Sequence, residues 1–359
     1  MEKKSYTIKD IAKMAKVSRG TVDRVLHNRG KVSEDALIRV NEVLEKINYH
    51  PNLIARSLKN SKDYYVAVLM PDYQSDAYWK TCYKGIKDAA KEFKSYGVSI
   101  ELYFFTISEA GSFMEAFEKI LKANPDGLVL VPAFSQEAKE VYKVCEERSI
   151  AYNTFNTPPE EGVEAAFVGQ DMVQSGRLAA ELLHLLDKEA SKLLVVHIND
   201  EAFENAIHLK KKEKGFRAYL SERSDIEILR LSIQHSELED QQAEIRKFLK
   251  ENENISGIWV SSSKAFVVAE VLRDLKLNIR LVGYDLIEKN TRFLEEGNID
   301  FLINQNPRSQ AFFSVAHVAE QLAFQKEMPE EHLLPIDIVS RENLIFYLKN
   351  KRNRTKLLI

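Results

Sequence analysis

Two short amphipathic helix patterns separated by a tight turn occupy the first thirty residues, and they constrain this chain more than any other feature. Thr7 is followed three residues later by Asp10, a variant of the capping box that begins helices. The turn falls at Lys16-Val17, and Ser18 is the N-cap of the second helix. The pattern therefore predicts a helix-turn-helix.

The second helix pattern has one apolar face and one polar face. Apolar residues return at helical spacing at Val22, Val25 and Leu26, while Arg19 and Arg24 point elsewhere. A helix that packs through one face on its predecessor and carries hydrogen-bond donors on the other suits the DNA major groove.

A third helix pattern follows Ser33 and closes a small three-helix core, with Leu37 and Val40 among its apolar residues. We call residues 1–50 the head. The next segment, 52–60, reads NLIARSLKN and is a marginal helix alone, because so few residues do not offset the cost of helix nucleation.

Charge is distributed unevenly along the chain. Residues 1–62 hold 14 Lys and Arg against 7 Asp and Glu, whereas the remaining residues hold 37 against 47. A basic end on an otherwise acidic chain is typical of a protein that binds the phosphates of nucleic acid through that end, although such a charge excess also occurs on solvated surfaces.

The charged start of the sequence predicts no secretory signal, and no apolar run approaches the length of a membrane span. Cys82 and Cys145 lack zinc spacing and give no reason to expect a disulfide. Together with the expected absence of a secretory signal and a membrane span, this predicts a cytoplasmic protein.

From Tyr64 onwards, strand-like runs alternate with amphipathic stretches of helix length, which predicts parallel sheets covered by helices on both faces. A break near Thr157-Pro158-Pro159 divides the runs into two blocks and predicts two lobes. The expected fold class is therefore α/β, with an all-α helix-turn-helix head and a two-lobed parallel-sheet body. The strand-like runs are residues 65–70, 99–105, 127–131, 150–155, 193–198, 226–231, 257–261 and 281–284.

Several motifs occur in order over residues 6–58 and resemble the signature of the lactose-repressor family of bacterial transcription regulators. They are TIKDIAKMAKVS, TVDRVL, VS, YHPN and ARSL. The rest of the chain resembles the effector-binding region of that family, which is itself similar to type I periplasmic sugar-binding proteins. FVGQD at 167–171, SGR at 175–177, GYD at 283–285, NQNP at 304–307 and PIDIVSREN at 335–343 carry this likeness.

The resemblance implies a domain organisation and a function. The head is followed by a hinge helix and linker at 51–62, a body at 63–348 for effector binding and dimerisation, and a basic tail at 349–359. The expected lobes comprise about 63–157 with 303–334, and 158–302 with 335–348. A homodimer would bind a near-palindromic stretch of double-stranded DNA, and a small polar effector, a sugar or sugar acid, would control it.

The resemblance also implies DNA contacts. Arg19 and Gly20 occupy the two base-selecting positions, and arginine suits the edge of a guanine. Lys16 stands where the family usually has glycine, and Asp23 stands where it usually has serine. Asp23 is either an acceptor for a cytosine amino group or partner of a nearby arginine, or an ordinary surface ion-pairing residue. The predicted DNA-binding residues are Thr7, Ser18, Arg19, Gly20, Thr21, Asp23, Arg24, Asn28, Tyr49, Asn52, Ala55, Arg56 and Leu58.

Three of these residues, Asn52, Ala55 and Leu58, match the hinge helix that enters the minor groove in this family. An apolar wedge there unstacks a base step and kinks the duplex. The alternative is that Leu58 packs onto the body.

Polar and aromatic residues collect where strands of the body end, which is where open parallel sheets bind ligands. Asp285 and Gln305 match family positions that hydrogen-bond sugar hydroxyls, and Tyr78 and Trp79 resemble a pair that stacks on a sugar ring. Lys210 falls about where the family usually has an arginine, and a lysine in the cleft favours an anionic ligand. Structural packing remains the alternative for each of these residues. The predicted effector-binding residues are Asp76, Tyr78, Trp79, Phe134, Asn153, Phe155, Lys210, Ser262, Asp285 and Gln305.

Other classes of function fit less well. No glycine belongs to a G-x-G or phosphate-loop motif, and the eight histidines lack metal-ligand spacing, so neither an enzyme nor a cofactor or metal site is expected. A periplasmic sugar receptor fits the body but not the head. A regulator controlled by a protein partner or a purine co-repressor remains the alternative.

Overall fold

A computed structural model describes residues 6–26, 30–47, 62–74, 76–160, 162–198, 206–222 and 226–350. The chain divides into two compact units, Met1–Lys59, which contains the head, and Asn60–Ile359, which contains the body. Six of the predicted DNA-binding residues lie outside the described residues, as does the tail beyond residue 350. These six are Asn28, Tyr49, Asn52, Ala55, Arg56 and Leu58.

The head contains the three predicted helices, α1 (Ile8–Met14), α2 (Arg19–Leu26) and α3 (Glu34–Lys46). Their core is small and includes Ile11, Val22 and Val40, all fully buried. The prediction that Leu37 belongs to this core is wrong, because that side chain is 41% exposed. The buried stripe of α3 instead runs through Ala36 and Val40, and Leu37 lies one position, about 100° of helix rotation, away from it.

The turn of the head has the local chemistry that the sequence predicts. Thr7 and Asp10 form a reciprocal capping box at the start of α1. Ser18 Oγ accepts a hydrogen bond from the Thr21 backbone N–H at 3.1 Å, which caps α2. Lys16, at the usual glycine position, has φ of +54°, so a side chain occupies a left-handed conformation that glycine adopts at lower cost.

The body consists of two six-stranded sheets. The first contains β1 (Tyr64–Pro71), β2 (Val98–Phe105), β3 (Gly127–Leu130), β4 (Ala151–Phe155), β5 (Ala166–Gly169) and β11 (Glu331–Leu333), in the order β11-β5-β4-β3-β1-β2. The second contains β6 (Lys192–Ile198), β7 (Glu227–Ile233), β8 (Gly257–Val260), β9 (Arg280–Tyr284), β10 (Phe301–Asn304) and β12 (Asp337–Val339), in the order β12-β10-β9-β8-β6-β7. Neighbouring strands pair in parallel except β10 and β12, which are antiparallel.

Helices connect the strands and cover the sheets. Central strands such as β3 and β8 are buried along their whole length, as expected when a parallel sheet has helices on both faces. No helix among the described residues is long and apolar enough to cross a bilayer. The helices are α4 (Ala77–Phe93), α5 (Ala110–Lys122), α6 (Ser135–Glu147), α7 (Met172–Leu186), α8 (Ile207–Ser221), α9 (Leu238–Glu251), α10 (Ala265–Leu275), α11 (Glu288–Glu295), α12 (Pro307–Phe324) and α13 (Leu344–Asn350).

The lobe boundaries differ from those inferred from sequence. We call the first sheet with its helices the first lobe, and the second sheet with its helices the second lobe. Strand β5 pairs with β4, so the first lobe extends through residue 169 rather than ending at 157. Strand β10 pairs with β9 in the second lobe, so the return to the first lobe follows residue 304. The prolines at 158 and 159 mark the loop between two strands of one sheet, because proline interrupts a strand without requiring a change of lobe.

Helices α7 and α8 approach one another through two glycines. A Cβ built on Gly176 would lie 1.8 Å from the Lys212 carbonyl oxygen, and one on Gly215 would lie 1.9 Å from the Val173 carbonyl oxygen. Both positions therefore need glycine, since no side chain fits at these distances. This contact determines how closely α8, and with it Lys212, lies against the rest of the second lobe.

Candidate functional site

A cavity of about 700 Å³ lies between the two lobes, where strands of both sheets end. The first lobe lines it with residues that follow β1, β2 and β4, and the second lobe with residues that follow β7, β8, β9 and β10. The carboxyl ends of parallel strands are where this type of sheet binds ligands, so the cavity is the candidate effector site.

Six of the ten predicted effector-binding residues line this cavity: Asp76, Tyr78, Trp79, Ser262, Asp285 and Gln305. On the first-lobe side, Asp76 is the N-cap of α4, and its Oδ1 accepts a hydrogen bond from the Tyr78 backbone N–H at 2.6 Å. The cap presents the Tyr78 and Trp79 rings at the cavity wall, where they pack edge to face with centroids 5.0 Å apart.

The other four predicted residues do not line the cavity. Phe134 packs against Phe105 and Phe113, and Phe155 is fully buried beside Trp79. Asn153 lies inside the first lobe, where its Nδ2 donates to the Ser314 carbonyl at 3.5 Å. Asn153 and Phe155 lie two positions apart on β4, and strand side chains alternate between faces, so both point to the same face and pack inside the lobe. Phe134 is the N-cap of α6, after the end of β3. Lys210 lies on the exposed side of α8.

The lysine of the cavity is Lys212, two positions further along α8. Its side chain is 2% exposed, and its Nζ donates to Gln305 Oε1 at 3.0 Å and to the Ser261 carbonyl at 3.2 Å. Nζ also lies 3.8 Å from the centroid of the Tyr284 ring, a cation–π contact. Sequence reasoning missed this residue, although its position on the same helix stripe as Leu209 and the buried Phe216 marks it as facing inwards.

Gln305 links Lys212 to Asp285. Its Nε2 donates to Asp285 Oδ2 at 2.7 Å, and its backbone N–H donates to Asp285 Oδ1 at 3.2 Å. Asp285 itself has φ of +67°, a strained conformation that places its carboxylate between the end of β9 and the end of β10. Each carboxylate oxygen retains a second lone pair for a ligand hydroxyl.

Burial shifts the proton affinities of this pair toward each other. Burial raises the pKa of Asp285 to about 6, against the opposing influence of the Gln305 hydrogen bonds and of the Lys212 charge. Burial also lowers the pKa of Lys212 to about 8, against the opposing influence of Asp285. Both groups are therefore charged between about pH 6 and 8, and they titrate as a coupled pair.

A second buried network supports the same turn of α8. Glu213 Oε2 lies 2.9 Å from His197 Nε2, and Glu213 Oε1 accepts hydrogen bonds from Arg217 Nε at 2.6 Å and from Arg230 Nε at 3.1 Å. Although burial acts to raise it, hydrogen bonds from His197 and Arg217 hold the pKa of Glu213 at about 2. His197 Nδ1 contacts Ser261 Oγ at 2.6 Å, so this network also fixes the end of β8 at the cavity.

In the head, the polar face of α2 is accessible. Arg19, Gly20, Asp23 and Arg24 are exposed, as is the N-cap Ser18, while Thr21 is half-buried. Arg24 Nε donates to the Gly20 carbonyl at 3.1 Å, which holds that side chain along the helix. Thr7 is exposed at the start of α1 and uses its hydroxyl in the capping box. A helix that packs through Val22 and presents these polar groups outwards has the form of a recognition helix.

Comparison with known proteins gives a family match for the head and another for the body. Residues 66–326 match the periplasmic binding protein domain family, and residues 7–52 match the family described as bacterial regulatory proteins, lacI family. The chain is a LacI-family DNA-binding transcription regulator. This membership confirms the resemblance inferred from the motifs, and it makes the regulator a member of a family of transcription factors rather than of enzymes.

One curated relative matches nearly the whole length of the regulator, and solved structures match about four fifths of it. It is 26% identical to the ribose operon repressor of Lactococcus lactis over 94% of this chain and 98% of the relative. A crystal structure of a LacI transcriptional regulator from Bacteroides fragilis covers 80% of this chain, with a TM-score of 0.74 and 29% identity. GanP, a glucose-galactose binding protein from Geobacillus stearothermophilus, covers 79% with a TM-score of 0.70 and 22% identity, so it shares the fold of the body.

Proposed function

We propose that this LacI-family regulator is a cytoplasmic homodimeric repressor that binds a near-palindromic operator and that a sugar or sugar acid in the interlobe cavity changes its operator affinity. The observation that carries the proposal is the linked triad Asp285–Gln305–Lys212 at the strand ends that face the cavity. It joins a carboxylate, an amide and an ammonium group. Together these groups can accept hydrogen bonds from the hydroxyls of a polyol and donate hydrogen bonds to them. The ribose repressor named among the relatives supports a sugar.

The aromatic wall opposite supports the same ligand chemistry. Trp79 and Tyr78 offer flat apolar surface from the first lobe, while Asp285 and Gln305 offer polar groups from the second. A sugar ring has apolar faces and a rim of hydroxyls, so it suits a site with both kinds of surface. A ligand held in this way would contact both lobes and favour one angle between them.

Coupling to DNA follows from the order of the chain. The first lobe begins with β1 at Tyr64, directly after the 51–62 linker that joins it to the head. A ligand that changes the lobe angle would therefore change the separation of the two linkers in a dimer. Because such coupling is reciprocal, a ligand that lowers operator affinity would bind the DNA complex less tightly by the same factor.

An aromatic group on the first lobe supports the dimer. Tyr73 stacks on Tyr83 with centroids 4.1 Å apart, and Phe104, 38% exposed on the edge strand β2, lies 5.3 Å from Tyr73. Exposed aromatic surface at a sheet edge is typical of a protein interface. Sedimentation of the full chain tests this proposal, and a monomer at micromolar concentration would contradict it.

The function is tested by selecting operators from random DNA with the full chain and by thermal-shift screening against sugars, sugar acids, sugar phosphates and purines. A palindromic consensus and a sugar that alters operator affinity are the expected results. Deleting residues 1–60 should abolish specific DNA binding and leave sugar binding intact. If no small molecule binds, the alternative in which a protein partner is the signal would replace the effector proposal.

Arg19→Ala should relax the preference at one base pair in each half-site, with a cost of about 1–3 kcal/mol for the preferred operator. The reason is that an exposed arginine at the start of a recognition helix reads a base edge rather than only a phosphate. Arg39→Ala is the matched control, because Arg39 is a half-buried head arginine on α3, paired with Asp35 and outside the recognition helix. Competition binding against single-base operator variants measures the effect, and an unchanged consensus for Arg19→Ala would contradict the assignment.

Effector affinity should be highest between about pH 6 and 8. Below about pH 6 the Asp285 carboxylate takes up a proton and loses acceptor capacity, and above about pH 8 Lys212 loses its charge. On the acid side of this profile, which we call the acid limb, affinity falls at a higher pH than for an ordinary aspartate, because burial disfavours the ionised carboxylate. Calorimetric titration of the screened ligand from pH 5 to pH 9 measures this profile. Asp285→Asn should remove the acid limb, and equal affinity at pH 5 and pH 7 in the unmodified protein would contradict the proposal.

A further inference from the structure

The chain passes between the two lobes at three short segments, which we call the crossovers. They are residues 170–171 between β5 and α7, 305–306 between β10 and α12, and 334–336 between β11 and β12. Strand pairing places the third crossover beside each of the others, because β11 lies next to β5 in the first sheet and β12 lies next to β10 in the second. No pairing of the described strands joins the first crossover to the second.

A buried side chain, that of Gln170, supplies this missing link. Gln170 is 1% exposed and belongs to the first crossover. Its Nε2 donates to the carbonyl of Asn304, the last residue before the second crossover, at 3.1 Å. The same Nε2 donates to the carbonyl of Pro335, in the third crossover, at 2.6 Å. A side-chain amide nitrogen has two N–H donors, so both are used, one toward each of the other crossovers.

The oxygen of the same amide indicates that Gln170 serves more than packing. Its Oε1 is buried and has no hydrogen-bond partner among the described residues. A buried oxygen without a partner destabilises a fold, so an apolar side chain of the same length would suit a position that only fills space. A glutamate would not replace the amide, since an ionised carboxylate only accepts hydrogen bonds and would face two carbonyl oxygens. The two donors are therefore the feature of Gln170 that this position uses.

The second crossover also carries Gln305, the glutamine of the cavity. Gln305 directly follows Asn304, whose carbonyl accepts from Gln170. The Gln305 side chain in turn contacts both Asp285 and Lys212. A change in the backbone of this crossover would therefore reach the cavity within one residue.

We infer that Gln170 is a positioning residue that fastens the three crossovers at one point and thereby limits the angles that the two lobes adopt. Three separate segments twist independently, whereas segments joined by one amide move as a single hinge. Gln170 exerts this effect without lining the cavity. The inference concerns the body itself, and only the step from lobe angle to operator affinity rests on the proposed function.

The distribution of distances between the lobes tests the inference without any ligand. Lys119→Cys near the end of α5 and Lys250→Cys near the end of α9 provide one spin-label site on each lobe. Both lysines are exposed, whereas the native Cys82 and Cys145 are fully buried, so labelling is directed to the introduced thiols. Double electron–electron resonance on the full chain measures the distances. An excess of unlabelled chain restricts the signal to label pairs within one chain.

Gln170→Met should make this distance distribution about twofold wider, because the lobe angles that the amide excludes become populated. Gln310→Met is the matched control. Gln310 is also a fully buried glutamine whose Oε1 lacks a partner among the described residues, and its Nε2 donates to the Gln305 carbonyl at 2.7 Å. That bond joins α12 to the crossover directly before it, not one crossover to another. The control should lower the urea midpoint to a comparable extent without widening the distribution.

Two outcomes would overturn the inference: equal widening in both variants, or an unchanged distribution in folded Gln170→Met. Gln170→Asn gives the test if the methionine variant does not fold. Asparagine keeps the amide but is one methylene shorter, so it does not reach both carbonyls. Its distribution should be wider than that of the unmodified protein, and an unchanged width would again overturn the inference.

Operator affinity separates this inference from the proposed function. Gln170→Met should weaken binding to the operator selected from random DNA about five- to tenfold, since lobe angle and DNA binding are coupled. A wider distance distribution with unchanged operator affinity would uphold the role of Gln170 and contradict the proposed coupling. If the selection yields no operator, the proposed function fails, and the distance measurements still decide the inference.

Discussion

Gly176→Ala is expected to lower the free energy of unfolding by about 3 kcal/mol and to abolish effector binding, since overpacking at a backbone contact has costs of this order. The added methyl group would lie 1.8 Å from the Lys212 carbonyl oxygen, and that atom belongs to the backbone of α8 and cannot move alone. The two helices must separate by more than an ångström. Lys212 would move with α8 and lose its hydrogen bond to Gln305.

Gly111→Ala is the matched control for this prediction. Gly111 lies in α5 of the first lobe, and a Cβ there meets nothing within 4 Å. The same substitution should therefore raise the free energy of unfolding by about 0.4–1 kcal/mol, because alanine is the better helix former. Urea unfolding of the full chain followed by circular dichroism measures both variants. Equal stabilities of Gly176→Ala and the unmodified protein would show that α7 and α8 do not meet at this glycine.

The head illustrates how far local patterns reach. Its three helices and its two caps follow from residues near in sequence, because capping depends on three or four neighbouring positions. The positive φ of Lys16 fits the family resemblance, in which glycine usually holds that position. Leu37 was misjudged for a related reason. Leu37, Ile38 and Val40 are all apolar, and the local pattern does not say which side of α3 meets the other helices.

The strands of the body follow the apolar runs closely, but the assignment of strands to lobes does not. Strands β5 and β10 are four residues each; β5 lies between β4 and β11 in the first sheet, and β10 lies between β9 and β12 in the second. No signal along the chain reports these partners. The chain crosses between lobes after residues 169, 304 and 333, and each crossing follows a short strand rather than the proline-rich break at 157–159.

Some of the predicted effector-binding residues line the cavity and others do not, and the basis of each prediction explains the difference. Asp285 and Gln305 were predicted from the resemblance to a family and line the cavity, whereas Phe155 and Asn153 were predicted from proximity to a strand end and do not. Near the end of a strand, the sequence alone does not distinguish a residue that packs under a helix from one that contacts a ligand. For the cavity lysine, helical spacing was the better guide, since the lysine-rich run 210–214 places one lysine, Lys212, on the buried stripe.

Lys212→Met should destabilise the protein by about 3 kcal/mol at pH 7, because removing one of two opposite buried charges that interact through Gln305 leaves the other charge uncompensated. The remaining charge is that of Asp285, which is 1% exposed. Methionine keeps the length and apolar stem of the side chain, so packing against Tyr284 is retained. Without Lys212, the pKa of Asp285 should rise above its value of about 6 in the unmodified protein.

The destabilisation caused by Lys212→Met should depend on pH, and its direction follows from the raised pKa of Asp285 and the lowered pKa of Lys212. A buried carboxyl whose pKa is raised in the folded state makes the fold less stable as pH rises through that pKa, so the variant is least stable above the further raised pKa of Asp285. A lysine with a lowered pKa costs stability below that pKa, so at pH 5, where Asp285 is protonated, removing Lys212 should be neutral or stabilising. Urea unfolding at pH 5 and pH 7 measures whether the change in the free energy of unfolding reverses its sign.

Lys210→Met, two positions away on the exposed side of α8, is the control. Its free energy of unfolding should stay within about 0.5 kcal/mol of that of the unmodified protein at both pH values. Equal behaviour of the two variants would mean that the Lys212 charge does not stabilise the Asp285 charge, and it would remove the triad on which the effector site rests.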